Sequence, residues 1–213
     1  MTILTTAPAH YAPPATAADL ASLLEQLVAD WHTIEPAHSH EGLQGRVCDN
    51  HRFNFLLWHE EDIARSRDVT DTKIAEVKRA IDGYNQARND AIEKTDDWLV
   101  NELAARGISA PADAPASTET PGAALDRLSI LELRRYHMQE QLERTDATQE
   151  HLEKVAHKMA VLDLQRTHLT EAIDRLLAEI FAGTRPLRVY RQMKMYNDPT
   201  MNPYLYKARR AAA

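Results

Sequence analysis

His59 and Arg52 fall inside the apolar stripe of one predicted helix, Asn85 and Arg88 interrupt the stripe of the next, and His151 and Arg166 break that of the longest. Burying an amide or a hydroxyl without a partner costs roughly 2–7 kcal/mol, and a charge costs more. These residues therefore satisfy one another in a polar interior or line a groove open to a ligand. A histidine beside a carboxylate can act as a general base, and an arginine near it can hold an anion through two parallel N–H bonds. Counting outward from the turn at 69–70 brings His59 within reach of Asp82, and Asp82, Asn85 and Asn89 share one flank of their helix. The groove expected from this spacing takes His59, Asp62 and Asp82 as acid–base candidates and Arg52, Asn85, Arg88, Asn89 and Arg166 as ligand-binding groups. The structural alternative is a buried His59–Asp82 pair that fixes helix register.

The run His59-Glu60-Glu61-Asp62, followed by Asp82 and Asn85, resembles the facing acidic helices of all-helical nucleotide pyrophosphohydrolases, which hold Mg²⁺ through carboxylate oxygens. Here Ala64 and Arg65 stand where a third acid belongs, Asn85 replaces a carboxylate, and Glu93 with Asp96 lies too far along the hairpin. On this alternative the chain is a metal-dependent hydrolase or transferase acting on a phosphorylated or nucleotide-linked substrate. Asp62 and Asp82 would hold the Mg²⁺ and His59 would be the base. The spacings of di-iron bundles occur at Glu35/His38, His137/Glu140 and His168/Glu171, but Pro36 takes the first off a helix and His168 points away from its stripe. No metal ligand is assigned and no cofactor is expected. Cys48 reads as a small packing residue.

The elements that must position these groups are helical. Leu20, Leu23, Leu24, Leu27 and Trp31 mark a first helix from Thr16, ending before Pro36. A second is expected from Asp49 to Ser66 and a third from the turn at 68–71 to Ala105, forming an antiparallel hairpin. Residues 107–122 read as a flexible loop, and Ser129 with Glu132 as a capping box opening a fourth helix to Arg144. The fifth runs from Ala147 to Phe181, with Gly183 as its stop. Its Val155, Leu162, Leu169 and Leu176 recur in heptads alongside Leu152, Met159, Arg166, Ile173 and Ile180, a coiled-coil-like seam offering a homodimer surface. Its length predicts the third helix as its neighbour. The fold expected is an all-α antiparallel bundle of four to five helices over residues 17–206, between a disordered leader (1–16) and a short tail (207–213). From Arg185 to Tyr206 an extended arm should fold back on the bundle, its Arg185, Arg188, Arg191 and Lys194 interleaved with Tyr190 and Tyr196 and docking on acidic groups or a partner.

A net charge of −7 argues against general binding to nucleic acid or anionic lipid. No run of the sequence approaches the length of a membrane span, no signal peptide is visible, and the single cysteine excludes an internal disulfide, so a cytoplasmic protein is expected.

Three ordered motifs resemble the bacterial family called domain of unknown function 4254. They are Asn50-His51-Arg52-Phe53-Asn54-Phe55 with Trp58-His59-Glu60-Glu61-Asp62, then Arg79-Ala80-Ile81-Asp82 with Asn85-Gln86-Ala87-Arg88-Asn89-Asp90, and Tyr190-Arg191-Gln192-Met193-Lys194-Met195-Tyr196-Asn197-Asp198-Pro199. The resemblance covers roughly residues 20–206. It carries no established activity, but implies a setting beside the glycosyltransferases of cell-envelope polysaccharide assembly, with a glycosyltransferase as a partner. The leading expectation is a helical-bundle protein binding a partner or an anionic small molecule in a polar groove between the second, third and fifth helices.

Overall fold

The computed structural model describes residues 11–193, 195 and 198–211. Its helices begin where a hydroxyl can take an orphan amide. Thr16, Thr70, Thr120 and Thr148 each hold extended backbone and accept from the N–H three residues on, satisfying a donor that a helix start leaves unpaired. They open α1 (Ala17–Trp31), α3 (Asp71–Ala105), α4 (Pro121–Leu142) and α5 (Gln149–Phe181). α2 (Gly42–Arg65) starts without a side-chain cap, and α6 (Pro203–Ala211) lies at the end of the described chain. No strand occurs among the described residues, and the fold is the expected all-α bundle. No described helix is long and apolar enough to cross a membrane.

Three element boundaries differ from expectation. α2 begins at Gly42 rather than Asp49, because Leu43 and Val47 carry its apolar face into the core. α4 begins at Pro121, not Ser129: Thr120 caps it, proline suits the first helical position, and Ala124, Leu125 and Leu128 supply a buried face. Ser129 and Glu132 are therefore buried inside α4 instead of capping it. Among its described residues the arm is irregular to Asn202, after which Pro203 starts α6 in place of extended chain to Tyr206. Lys194 and Tyr196 lie outside the described residues, as does the expected leader up to His10. The rest of that leader is tied down at Ala12, whose carbonyl accepts from Arg106 Nη1 at 2.8 Å.

The pairing of helices is also corrected. α2 lies along α3 and α5 along α4, while α4 touches each of the other four long helices. α3 is not a main neighbour of α5 despite its matching length. An open groove of about 690 Å³ runs between them, walled in part by Ile92 of α3 and Leu169 of α5. The seam residues Val155, Leu162, Ile173 and Ile180 are buried within the chain itself.

The largest core cluster joins α1, α3, α4 and α5 through side chains such as Leu24, Leu99, Leu128, Leu177 and Phe181, each worth roughly 1.5–3 kcal/mol when removed from water. A second packs Val28, Trp31, Cys48, Phe55 and Leu133, and a third joins α2 to α3 through Leu57, Val77 and Ile81. Along α2, the residues between Cys48 and Phe55 include three that are buried yet polar: Asn50, His51 and Asn54.

Candidate functional site

Asn50, His51 and Asn54 occupy one helical face and meet Asp126 and Ser129 of α4. Asp126 Oδ1 accepts from Asn50 Nδ2 at 2.9 Å and from Asn54 Nδ2 at 3.0 Å. Ser129 Oγ lies 2.9 Å from Asn54 Nδ2 and 2.8 Å from His51 Nδ1. Burial pushes the His51 pKa down to about 3, partly opposed by the Leu24 backbone, so its ring is neutral at pH 7. Arg88 of α3 completes the set, its Nε 3.4 Å from Asp126 Oδ1. That separation makes an ion pair rather than a tight hydrogen bond. Asp126 is the one ionic partner of Arg88 among the described residues.

Arg88 opens onto a groove of about 420 Å³ between α2, α3 and α4. Asn54 and Asn85 bring amides to it, Trp58, Ile130 and Leu133 bring apolar wall, and Glu61, Asp62 and Arg65 lie at the α2 side. Arg65 is already paired with Glu61 at 3.0 Å, so Arg88 is the cation of the groove least engaged by protein.

Of the residues expected to share this groove, Asp62, Asn85 and Arg88 line it. The third wall is α4, not α5, and this removes Arg166. That side chain instead meets Glu132, whose fully buried carboxylate accepts from Arg166 Nε at 2.6 Å and Arg135 Nη1 at 2.8 Å. Glu25 and Asp163 surround the same arginines at 3.3 Å or less. Burial raises the Glu132 pKa, with Arg166 and Arg135 opposing it. His59 and Asp82 do not pair: Asp82 is exposed and bound to Lys78, while His59 turns toward α1 and α4. Arg52 donates from Nε to the Pro36 carbonyl at 2.8 Å. Asn89 donates to the Asn85 carbonyl and accepts from Gln192 of the arm at 2.9 Å. His151 follows the cap of α5, its backbone N–H donating to Thr148.

The acidic pair considered for Mg²⁺ also separates, with Asp62 at the groove and Asp82 outside it. Glu93 binds the arm, accepting from Arg191 at 3.0 Å and from the Gln192 backbone. Asp96 is buried and accepts from the Gly122 N–H at 2.7 Å, which pins the start of α4 to α3. Desolvation raises its pKa, opposed by the bonds from Thr120 and Gly122. A Cβ on Gly122 would lie 2.6 Å from the Ile92 carbonyl oxygen, so only glycine permits this approach. Tyr190 also fixes the arm, its hydroxyl donating to the Ser117 carbonyl.

A second polar set lies where the end of α1 meets α2 and α4. His32 is the C-cap of α1, His59 sits on α2 and His137 on α4, and one ring nitrogen of each lies within 4.8 Å of the other two. His32 Nδ1 faces the Val28 carbonyl at 2.6 Å and His137 Nδ1 faces Glu140 Oε2 at 2.7 Å. All three Nε2 atoms are buried without a hydrogen-bond partner. Trp58 stacks on His137, Tyr136 on His32, and Phe55 meets His59 edge-on. Burial lowers the His59 pKa, reinforced by the neighbouring His32 and His137.

Asn54, Trp58, Asp126 and His32 also belong to these two polar sets, though helical spacing does not single them out. Asn50 and Asn54, four apart, were a legible signal of a polar contact on a buried face. Asp126 lies in the first turns of α4, ahead of the Ser129 start that the sequence suggests, and His32 lies just beyond its helix's last apolar residue.

A family model described as "Protein of unknown function (DUF4254)" matches residues 44–189. No curated protein and no solved structure matches the chain.

Proposed function

The chain belongs to the DUF4254 family, and from that premise we propose that it binds an anionic small molecule, of the phosphorylated or nucleotide-linked sugar class, in the groove between α2, α3 and α4. The observation that carries this reading is Arg88. Its Nε leans on a buried carboxylate, and the same side chain lines an open cavity. A guanidinium held from behind is pre-oriented to take a phosphate or carboxylate through two N–H bonds. Asn54 and Asn85 supply amides for the polar edges of such a ligand, and Trp58 an aromatic wall. The family resemblance suggests envelope-glycan assembly as the setting, with a glycosyltransferase as partner. A cytoplasmic location fits the thiol of Cys48, buried and with its pKa pushed up to about 12 by desolvation and Asp49.

Thermal melting against a panel of sugar phosphates and nucleotide sugars tests the reading. A ligand at a hundred times its Kd stabilises the folded chain by ~2.7 kcal/mol, a readable rise in Tm. Arg88→Met should abolish that rise while the protein still melts cooperatively. No rise with any member of the panel, or an equal rise in the variant, refutes the reading.

A further inference from the structure

We infer that His32, His59 and His137 form a binding site for a divalent transition-metal ion of the zinc class, held through three Nε2 atoms at the junction of α1, α2 and α4. The site is separate from the proposed anion groove, and does not depend on it.

The donors come from three elements, so no short sequence motif announces them, yet the fold brings one nitrogen of each within 4.8 Å of the others. Their tautomers are the second observation. The Val28 carbonyl and the Glu140 carboxylate accept, so Nδ1 of His32 and of His137 each carries the proton. The Nε2 of both rings is then a bare lone pair, buried and without a partner. Metal-bound histidines show this same outer arrangement, the far N–H donated to a carbonyl or a carboxylate, which fixes the ring and raises its basicity.

Packing alone leaves this geometry unexplained. Three buried Nε2 atoms lack partners, a cost that native interiors rarely carry. Protonating the set would gather like charges in a place where burial already disfavours the charged form of His59. A cation shared by the three lone pairs removes both difficulties. Imidazole donors select Zn²⁺, Co²⁺ or their neighbours over Mg²⁺ and Ca²⁺, which prefer oxygen. Zn–N bonds of about 2.0–2.1 Å need the nitrogens ~3.4 Å apart in a tetrahedral site, a contraction of roughly an ångström per ring. Three protein ligands also leave a fourth coordination position open. Trp58 stacks on His137 and lines the groove, so the metal would lie one aromatic ring behind the groove wall.

The test uses the full chain without an affinity tag, stripped of metal by chelator and titrated with Co²⁺, then Zn²⁺. One equivalent of Co²⁺ should produce the visible bands of a nitrogen-rich site and be displaced by Zn²⁺, with a rise in Tm that millimolar Mg²⁺ does not reproduce. His59→Ala and His137→Ala should each weaken Co²⁺ binding at least ~100-fold, and Glu140→Gln, acting through His137, by ~10–100-fold. His168→Ala, at an exposed position of α5, and Arg88→Met should bind as wild type does. Absence of stoichiometric Co²⁺ or Zn²⁺ binding by the wild type overturns the proposal, as does unchanged affinity in folded His59→Ala and His137→Ala. If the alanine variants unfold, the wild-type imidazole nitrogen resonances decide: Zn²⁺ must shift Nε2 of His32, His59 and His137 together, and failure to do so refutes the site.

Discussion

Two buried carboxylates on α4, Asp126 and Glu132, have been treated differently by the same fold. Glu132 is enclosed by two arginines that are themselves bound to Glu25 and Asp163, so its charge is answered on every side. Asp126 is held mainly by amides, and its one arginine also lines a cavity. The first arrangement is closed and ties α1, α4 and α5 together. The second is unfinished at one point, and that point is where the proposed anion would be added. Buried charge by itself does not mark function.

This contrast can be broken by experiment. The largest effect expected is from Glu132→Ala, which leaves Arg135 and Arg166 without their shared carboxylate and should cost about 3–5 kcal/mol in urea unfolding. A loss below ~1 kcal/mol would mean that the cluster behaves as an ordinary surface ion pair. Acid should act next, through His51 in the Asp126 network. Its folded pKa of about 3 lies below the ordinary value of ~6.5, so the unfolded chain takes up the proton first. Stability therefore falls as pH drops from ~6.5 toward 3, by up to ~1.4 kcal/mol per unit, and His51→Asn should remove that slope. Glu132, with a raised pKa, contributes the opposite sign, losing stability as pH rises through its folded pKa. Arg88→Met should cost only about 1 kcal/mol in the same unfolding assay, because Asn50 and Asn54 still hold Asp126. A loss as large as that of Glu132→Ala would make Arg88 a structural residue. Smallest of all is Arg191→Ala. Its bonds to Glu93 and Asp97 are exposed, and the Tm should stay within error.

Apolar spacing made the bundle legible, because Leu20 to Trp31, Val77 to Leu103 and Val155 to Ile180 all fall at helical period and are largely buried as that period demands. It did not reveal which helices touch. The length of α5 pointed to α3, but the Glu132 cluster and the apolar surface of α4 draw α5 elsewhere. That single misassignment removed Arg166 from the expected groove. The hairpin count paired His59 with Asp82 by register along α2 and α3, yet register says nothing about rotation. The buried Asn50–Asn54 face turns toward α4, and His59 follows it toward α1 and α4. That Asn85, Arg88 and Asp62 line one groove was legible, because their position depends on the α2–α3 hairpin alone. The meeting of His59 with His32 and His137 was not, since a cluster assembled from three distant segments leaves no periodic trace.

The central position of α4 has a consequence for synthesis. A chain emerging from the ribosome completes α1, α2 and α3 before Pro121 appears, yet Leu24, Leu99 and Phe55 all belong to clusters that α4 helps close. Until then those leucines and aromatics face water or whatever else is nearby. Nascent chains halted in the loop before Thr120 should consequently be sticky and need shielding, whereas chains extended past Leu142 have gained the strut around which the earlier helices can settle.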